Sequence, residues 1–397
     1  MENVKDFFNK LKDSMDKNPI IKRMAIIMGI FILLIILLII ISSCARRNAK
    51  PKTYSYKDFE KYMITLTKNR YKDKEDQLPK NDKDVVSVEL QSFINDGTIE
   101  DLTEIIENNS TCKGTVKIIN NYGHLLYLPN LDCGKDYKTK TIYDTLTTEE
   151  NIVTEGSGLY KVDDEYIFRG EAVNNYLKLN NITFRIIKVY DDGDIRIIDT
   201  TGKYPNSSWD DRYNVDKSGN VGINEYIQEN KINSRLKDSI EDIYNNYELF
   251  TDDIKSYFVS KEICVGKRSI NDDIFDKSIE CSKTIDAYPF GLIYPYEYYI
   301  ASLDQNCHSI KDESCKNYNY FSNFLKMTWT TIGDKDISYQ AFRISSVGAS
   351  THKTSYATPI RIVTSINKDL IVKSGTGTEE DPYIIETFTN EKSTKKK

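Results

Sequence analysis

Residues Met24 to Ile41 run for eighteen positions without a charge (MAIIMGIFILLIILLIII), and this stretch constrains the chain more than any other. Extended through Ala45 it covers 22 residues. At about 1.5 Å per residue a helix of that length spans roughly 33 Å, enough for a hydrocarbon core about 30 Å thick. A helix buried in a water-soluble core keeps a polar face, and this one has none. The sequence therefore predicts one transmembrane helix at 24–45, with a short tail at 1–23. A cleaved signal peptide has a shorter apolar run and a small-residue cleavage site. Ile41-Ser42-Ser43-Cys44 has the form of a lipobox, which leaves acylation of Cys44 as an alternative to a bare anchor. In the tail, Val4, Phe7, Phe8, Leu11 and Met15 repeat at helical spacing, which fits an amphipathic helix on the inner surface or a solvated segment equally well.

Charge does not orient the span. Lys10, Lys12, Lys17, Lys22 and Arg23 on one side are matched by Arg46, Arg47, Lys50, Lys52 and Lys57 on the other, so the positive-inside count is a tie. Cysteine breaks it. Beyond the span the chain carries Cys112 and Cys133, Cys264 and Cys281, and Cys307 and Cys315, three close pairs. Six cysteines allow 15 connectivities. Local pairing is the simplest, each bridge closing a short loop worth about 2–4 kcal/mol. Free buried thiols are the alternative. Zinc is a poor fit: there is no CxxC, and His124, His308 and His352 are scattered. Disulfides need an oxidising compartment, which places the C-terminal mass outside the cell and the N-terminus in the cytoplasm.

The remainder is rich in charge (29% of the chain) and reads as α+β. Phe59, Tyr62, Met63 and Leu66 form a helical stripe. KDKEDQLPKNDKD reads as a loop, and Val88 to Asn95 as a short helix stopped by Asp96-Gly97. TVKII and HLLYL, joined by Asn-Asn-Tyr-Gly, read as a hairpin bracketed by Cys112 and Cys133. These elements define a small α+β module at 46–150. After Glu155-Gly156-Ser157-Gly158 the pattern becomes strands and turns, a larger β-rich ectodomain at 151–388. ITFRIIKVY-DDG-DIRIID is a hairpin with an Asp-Gly turn. Residues 234–247 form a helix with Leu236, Ile240, Ile243 and Tyr247 on one stripe. Pro295 starts another helix over Tyr296 to Leu303. MTWTTIG, YQAFRISS, PIRIVTSI, DLIVKS and PYIIETF read as strands. Residues 389–397 are a disordered basic tail.

Several motifs carry a resemblance. GLYKVDDEYIFRGEAVNNYLKLNNITFRIIKV is followed in order by SWDDRYN, VGINEY, CVGKRS, EC, GLI, EYYIASLDQNC, SCKNYNY, WT and SGTGTEEDPYII. Over about 155–386 the chain resembles a family of uncharacterised, membrane-anchored extracytoplasmic proteins of low-GC Gram-positive and wall-less bacteria. The cysteines of CVGKRS…EC and DQNC…SCKNYNY stand in the same places in that family, which supports local pairing. CKGTVKIINNYGHLLYLPNLDCGKDYKT resembles the head that follows a pilin-like membrane helix. After Gly29 the run is IFILL, so Leu34 stands where a prepilin carries glutamate. The Leu-Ile-x-Pro helix start, the Trp-bearing strand and the closing IRIV strand resemble the C-type-lectin-like fold of formylglycine-generating-enzyme relatives. The reactive cysteine pair of those enzymes has no match here.

Asn214, Asp216, Ser218, Asn220 and Glu225, around Gly219, have the spacing of a calcium loop. Position one is Asn rather than Asp, so the site would be neutralised, and a turn leading into a helix explains it as well. Calcium is the one cofactor this spacing admits, and none is expected. Asp191, Asp192 and Asp194 are explained by a hairpin turn. His352, among Ser350, Thr351, Thr354 and Ser355, sits in a predicted loop with nothing to fix it as a base. SGTGT precedes a strand, not a helix, so it is no phosphate loop. A net charge of −6 with no basic stripe outside the termini argues against nucleic acid. Tyrosine is the unusual element, with 28 residues, many clustered as in YPYEYY and NYNYF. Its flat face and polar tip suit sugars and peptides. Tyr294, Tyr296, Tyr298 and Tyr318 are the candidate ligand-binding residues, half-buried packing being the alternative. The sequence thus predicts a non-enzymatic surface module that binds an extracellular glycan, peptide or protein. An envelope-modifying enzyme with dispersed acids, or a structural part of a pilus-like or secretion assembly, are the alternatives.

Overall fold

The computed structural model describes residues 53–99, 101–109, 111–212, 221–228 and 231–387, with scattered positions between 20 and 36. Most of 1–23 and of the predicted span 24–45, together with Cys44, Asn214, Asp216, Ser218, Asn220 and the tail 389–397, lies outside the described residues. Among the described residues, no helix is long and apolar enough to cross a membrane. The chain divides into two compact units. One runs to Tyr54 and includes Thr103–Asn109; the other comprises Ser55–Leu102 and Ser110 onward. In the first, Tyr54 bridges Ile106, its N–H donating to the Ile105 carbonyl at 2.7 Å.

The second unit is mixed α+β and dominated by sheet. Helix α1 (Tyr56–Tyr71) starts at Ser55, whose side chain accepts the Asp58 N–H, and buries Phe59, Met63 and Leu66 as the stripe predicts. Strand β1 (Val85–Glu89) follows, then α2 (Leu90–Asn95). The predicted helix over 88–95 therefore begins two residues late. Val85, Val86 and Val88 pair with the next strand, and β-branched side chains favour that pleated pairing over a helical turn. β2 (Lys113–Asn121) and β3 (His124–Asp132) form the hairpin, stapled by the Cys112–Cys133 disulfide. The short helix α3 (Ile142–Leu146) closes this region with a Thr141 capping box.

A ten-stranded sheet forms the centre of the unit. It takes in β4 (Gly158–Val162), β5 (Glu165–Arg169), β6 (Tyr176–Leu179), β7 (Ile182–Val189) and β8 (Ile195–Asp199). In β7 only Thr183 and Lys188 escape burial, and β8 is buried throughout, so both faces of this part of the sheet are covered. The turn between them passes through Gly193 at φ +90°, as the Asp-Gly signal requires. Helix α4 (Arg235–Asn246) packs Leu236, Ile240, Ile243 and Tyr244 inward. Tyr247 lies just past its end, and its hydroxyl donates to the Lys203 carbonyl at 2.9 Å.

Two-residue β9 (Phe258–Val259) joins β17 (Val363–Ile366) of the central sheet, while among the described residues β10 (Lys261–Cys264) pairs only with β12 (Thr284–Tyr288). β11 (Lys267–Arg268) runs parallel to β14 (Met327–Asp334) in a second sheet completed by β15 (Gln340–Ser345) and β16 (Gly348–Lys353). His352 thus sits on a strand, not in the predicted loop, because Gly348–Lys353 pairs residue by residue with β15. β13 (Phe290–Gly291) precedes α5 (Pro295–Ile300), which ends three residues before the predicted Leu303. β17 (Val363–Ile366), β18 (Val372–Ser374) and β19 (Tyr383–Ile385) return to the central sheet. Two further local disulfides, Cys264–Cys281 and Cys307–Cys315, complete the predicted pairing.

Candidate functional site

The hairpin β2–β3 turns through two residues, Tyr122 at φ 51° and Gly123 at φ 88°. Two positive values in a two-residue loop match the right-handed twist of the strands, but the first position is unusual for a tyrosine. Its surroundings hold it there. The Asp82 carboxylate accepts the Tyr122 N–H at 2.7 Å on one oxygen and the Ser260 hydroxyl on the other. The buried Asn121 side chain donates to the Ser256 carbonyl at 2.6 Å, and Asn120 Oδ1 accepts the Gly123 N–H at 2.7 Å. The hairpin tip is thereby pinned to the segment that leads into β10.

Pinned in this way, the Tyr122 ring meets Tyr288 edge-on at 5.4 Å and Tyr244 at 5.9 Å, between ring centroids. It forms one lip of a cleft of about 370 Å³. Lys237, Ile240 and Glu241 supply another wall from consecutive turns of α4, and the β10–β12 ribbon supplies a third through Ile263, Ile285 and Tyr288. Ile263 and Ile285 are directly paired across the ribbon, which the Cys264–Cys281 bridge closes. Tyr226 lines the interior, and exposed Asp286 stands at the rim.

Burial, reinforced by Glu241, raises the hydroxyl pKa of Tyr122 and Tyr288, and burial raises that of Tyr226 well above the usual phenol value. All three are neutral phenols at ordinary pH. Glu241 takes the Lys237 ammonium on one oxygen and the Asn233 amide, at 3.2 Å, on the other. The cleft therefore offers aromatic and aliphatic surface with an ion pair and one exposed carboxylate at its edge. Among the described residues, no histidine or serine lines it.

The four tyrosines singled out in the sequence are not gathered in this cleft. Tyr298 is fully buried, and its hydroxyl donates to the Ser346 carbonyl at 3.0 Å. Tyr296 is buried, with its backbone N–H on Glu280. Tyr294 lies beneath the Arg196 guanidinium at 4.7 Å and accepts the Cys264 N–H at 3.1 Å, so it supports the ribbon from behind. Tyr318 alone is well exposed, at φ 46°. Helix α5 explains the first three: its N-terminal turn enters the core, and Glu297 is held by buried Arg196 and by the Tyr294 N–H.

Of the calcium-loop residues, Glu225 is described and pairs with Lys267 at 2.6 Å and Lys283 at 3.6 Å. Among the described residues no cluster of potential ligands could hold a metal ion. Asp194 pairs with Lys261 at 2.7 Å, and Asp192 pairs with the same ammonium. Tyr122 and Tyr288 were missed by sequence reasoning. The one available signal was a bulky aromatic where a hairpin turn ordinarily takes Asn or Asp before Gly. Comparison of the chain with family models, with curated proteins and with solved structures finds no match.

Proposed function

We infer that the protein is a single-pass, membrane-anchored surface protein whose ectodomain binds an extracellular glycan in the Tyr122–Tyr288 cleft. The observation that carries this reading is the cleft itself. Neutral phenol rings and paired isoleucines present flat apolar surface, and the Lys237–Glu241 pair and Asp286 offer hydrogen-bonding edges. A sugar ring has the same two-sided character, apolar on its C–H face and polar around its rim, and tyrosine serves it on both counts. A peptide or protein ligand is the neighbouring possibility, separable by the same experiment.

The anchor rests on the uncharged run at 24–45, and the outward orientation on the disulfides, which persist in oxidising compartments. The resemblance to membrane-anchored extracytoplasmic proteins of low-GC Gram-positive and wall-less bacteria agrees with both.

The alternative of an envelope-modifying enzyme finds less support in this cleft. Glycoside hydrolysis uses two available carboxyl groups, whereas Glu241 is already committed to Lys237 and Asn233. The structural-assembly alternative rests on the pilin-head resemblance of 112–139.

The test is binding of full-length protein, in neutral detergent, to a panel of purified glycans and to envelope peptides. Wild type should bind a subset of the glycans. Tyr122→Ala and Tyr288→Ala should each lose several-fold to about tenfold in affinity, in line with about 0.5–1.5 kcal/mol for a lost aromatic contact. Binding to peptides alone would move the ligand class. Equal glycan binding by both variants would remove the cleft from the account.

A further inference from the structure

We propose that a second, separate cavity, framed by α1, the 134–140 turn and the approach to β18, binds the phosphate group of a phosphorylated organic ligand. This cavity measures about 590 Å³, larger than the tyrosine cleft. Lys57, Lys135, Lys138, Lys140 and Lys373 converge on it from three distant stretches of sequence. The convergence is built into the backbone. The Val372 N–H donates to the Lys140 carbonyl at 3.3 Å, the Ile142 N–H to the Leu370 carbonyl at 2.7 Å, and Lys57 Nζ to the Lys373 carbonyl at 3.4 Å. The Cys112–Cys133 bridge anchors the start of the turn.

Some other lysines of this acidic chain pair with carboxylates, as Lys117 with Asp369, Lys188 with Glu165, Lys261 with Asp192 and Asp194, and Lys267 with Glu225, while others stand singly in solvent; what distinguishes this cavity is that five lysines share it. Among the described residues, the ammonium groups of Lys135, Lys138, Lys140 and Lys373 have no such partner. Five ammonium groups face two lining carboxylates, Asp136 and Asp144, and Asp144 is engaged in the Thr141 capping box. Glu60, behind Tyr137, acts on Lys57, and Glu386 stands nearby, so the excess of positive charge falls on the exposed rim of Lys135, Lys138, Lys140 and Lys373, where a multiply charged anion would neutralise it.

The rest of the lining defines the ligand further. Half-buried Tyr137 stacks on Tyr56 at 4.8 Å and turns its hydroxyl to the buried carboxylate of Glu60 at 3.0 Å, and Ile371 and Val372 complete the inner wall. An inorganic anion alone would leave most of the cavity empty. A phosphate ester fits its charge to the lysine rim and its organic part to the Tyr137 ring and the aliphatic wall. Lysine suits this task as a point-charge phosphate donor.

The experiment uses full-length protein in neutral detergent at low ionic strength, titrated with inorganic phosphate and with glycerol 3-phosphate. In parallel, the protein is placed in nanodiscs of phosphatidylcholine with or without phosphatidylglycerol. Saturable binding of glycerol 3-phosphate, weakened at least tenfold by Lys138→Glu with Lys140→Glu and unaffected by Lys326→Glu, is expected. Slowed amide exchange over 133–142 and 371–374 should accompany it. Protection in the phosphatidylglycerol discs, lost in the double variant, would identify a lipid headgroup as a source, and response to the soluble ester alone a free phosphate ester. Amide exchange of the unliganded variants, matching wild type outside those segments, establishes that they fold. No saturable response to glycerol 3-phosphate or to phosphatidylglycerol, or an equal response in the double variant, would overturn the proposal.

Discussion

Asp82 accepts the backbone N–H of Tyr122 at 2.7 Å, and this bond is one of those that hold the turn presenting the ring at the lip of the tyrosine cleft. The same carboxylate takes the Ser260 hydroxyl, so one side chain ties the hairpin tip to the strand pair opposite. Asp82→Ala leaves both donors to water or to no partner, at a cost of about 1–3 kcal/mol. The larger effect is expected on binding, because an unpinned Tyr122 at positive φ relaxes toward commoner backbone conformations. Affinity for a cleft ligand should fall several-fold while Tyr288 remains in place. Chemical denaturation and ligand titration on the same preparation check the two effects separately.

The Cys264–Cys281 bridge closes a ribbon of only two strands, and an isolated two-stranded ribbon is marginal in water. Replacing both cysteines by serine should cost about 2–4 kcal/mol. The loss should be local as well as global. Amide exchange should quicken over 261–264 and 284–288, and the cleft wall formed by Ile263, Ile285 and Tyr288 should loosen with it. Uniform exchange along the chain in the serine variant would show that the bridge acts on the unfolded chain alone.

Trp209 and Trp329, the two tryptophans of the chain, clasp each other's segments. The Trp209 indole donates to the Thr330 carbonyl at 2.9 Å, and the Trp329 indole to the Ser207 carbonyl at 2.8 Å. Both are fully buried. Trp329→Phe removes one donor, opens a void and leaves the Ser207 carbonyl without it, which should cost about 2–4 kcal/mol. A midpoint in urea unchanged from wild type would contradict this reading of the core.

Local signals made much of this fold legible. Phe59, Met63 and Leu66 marked α1, Leu236, Ile240 and Ile243 marked α4, and the close spacing of the cysteines made local pairing the simplest choice. Val88 and Glu89 were misassigned because an apolar run reads as helix or strand until its partner, here β2, is known. His352 was placed in a loop because Ser, Thr and Gly around it mimic turn composition, while its pairing to Ala341 is a long-range fact. The sites were less legible still. YPYEYY drew attention as a cluster, yet adjacency in sequence turned its rings into the core. Tyr122 and Tyr288 come together only through tertiary docking. The lysines of 135–140 likewise looked unremarkable until Lys57 and Lys373 joined them.

Glu280 carries the clearest pH signature. It is almost wholly buried, and burial outweighs the neighbouring Arg268 guanidinium, lifting its pKa from 4.5 to about 7. Its Oε1 accepts the Arg268 Nε–H at 3.2 Å and the Tyr296 N–H at 2.9 Å. A carboxyl whose pKa is higher in the folded state binds its proton more tightly there. Its contribution is therefore fully present below the unfolded pKa near 4.5 and is lost as pH rises through about 7. A shift of this size corresponds to about 3 kcal/mol. Glu280→Gln keeps the acceptor oxygen and removes the titration. Measured against wild type, the variant's stability should shift in its own favour by up to about 3 kcal/mol between pH 4.5 and pH 8. Glu60 and Asp194, also raised by burial, titrate in both proteins and cancel in the comparison. Denaturant unfolding followed by fluorescence of the two buried tryptophans reads the difference directly. A gap that stays constant across that range, or widens in favour of wild type at pH 8, would mean that Arg268 holds Glu280 ionised and that the pair is a salt bridge throughout.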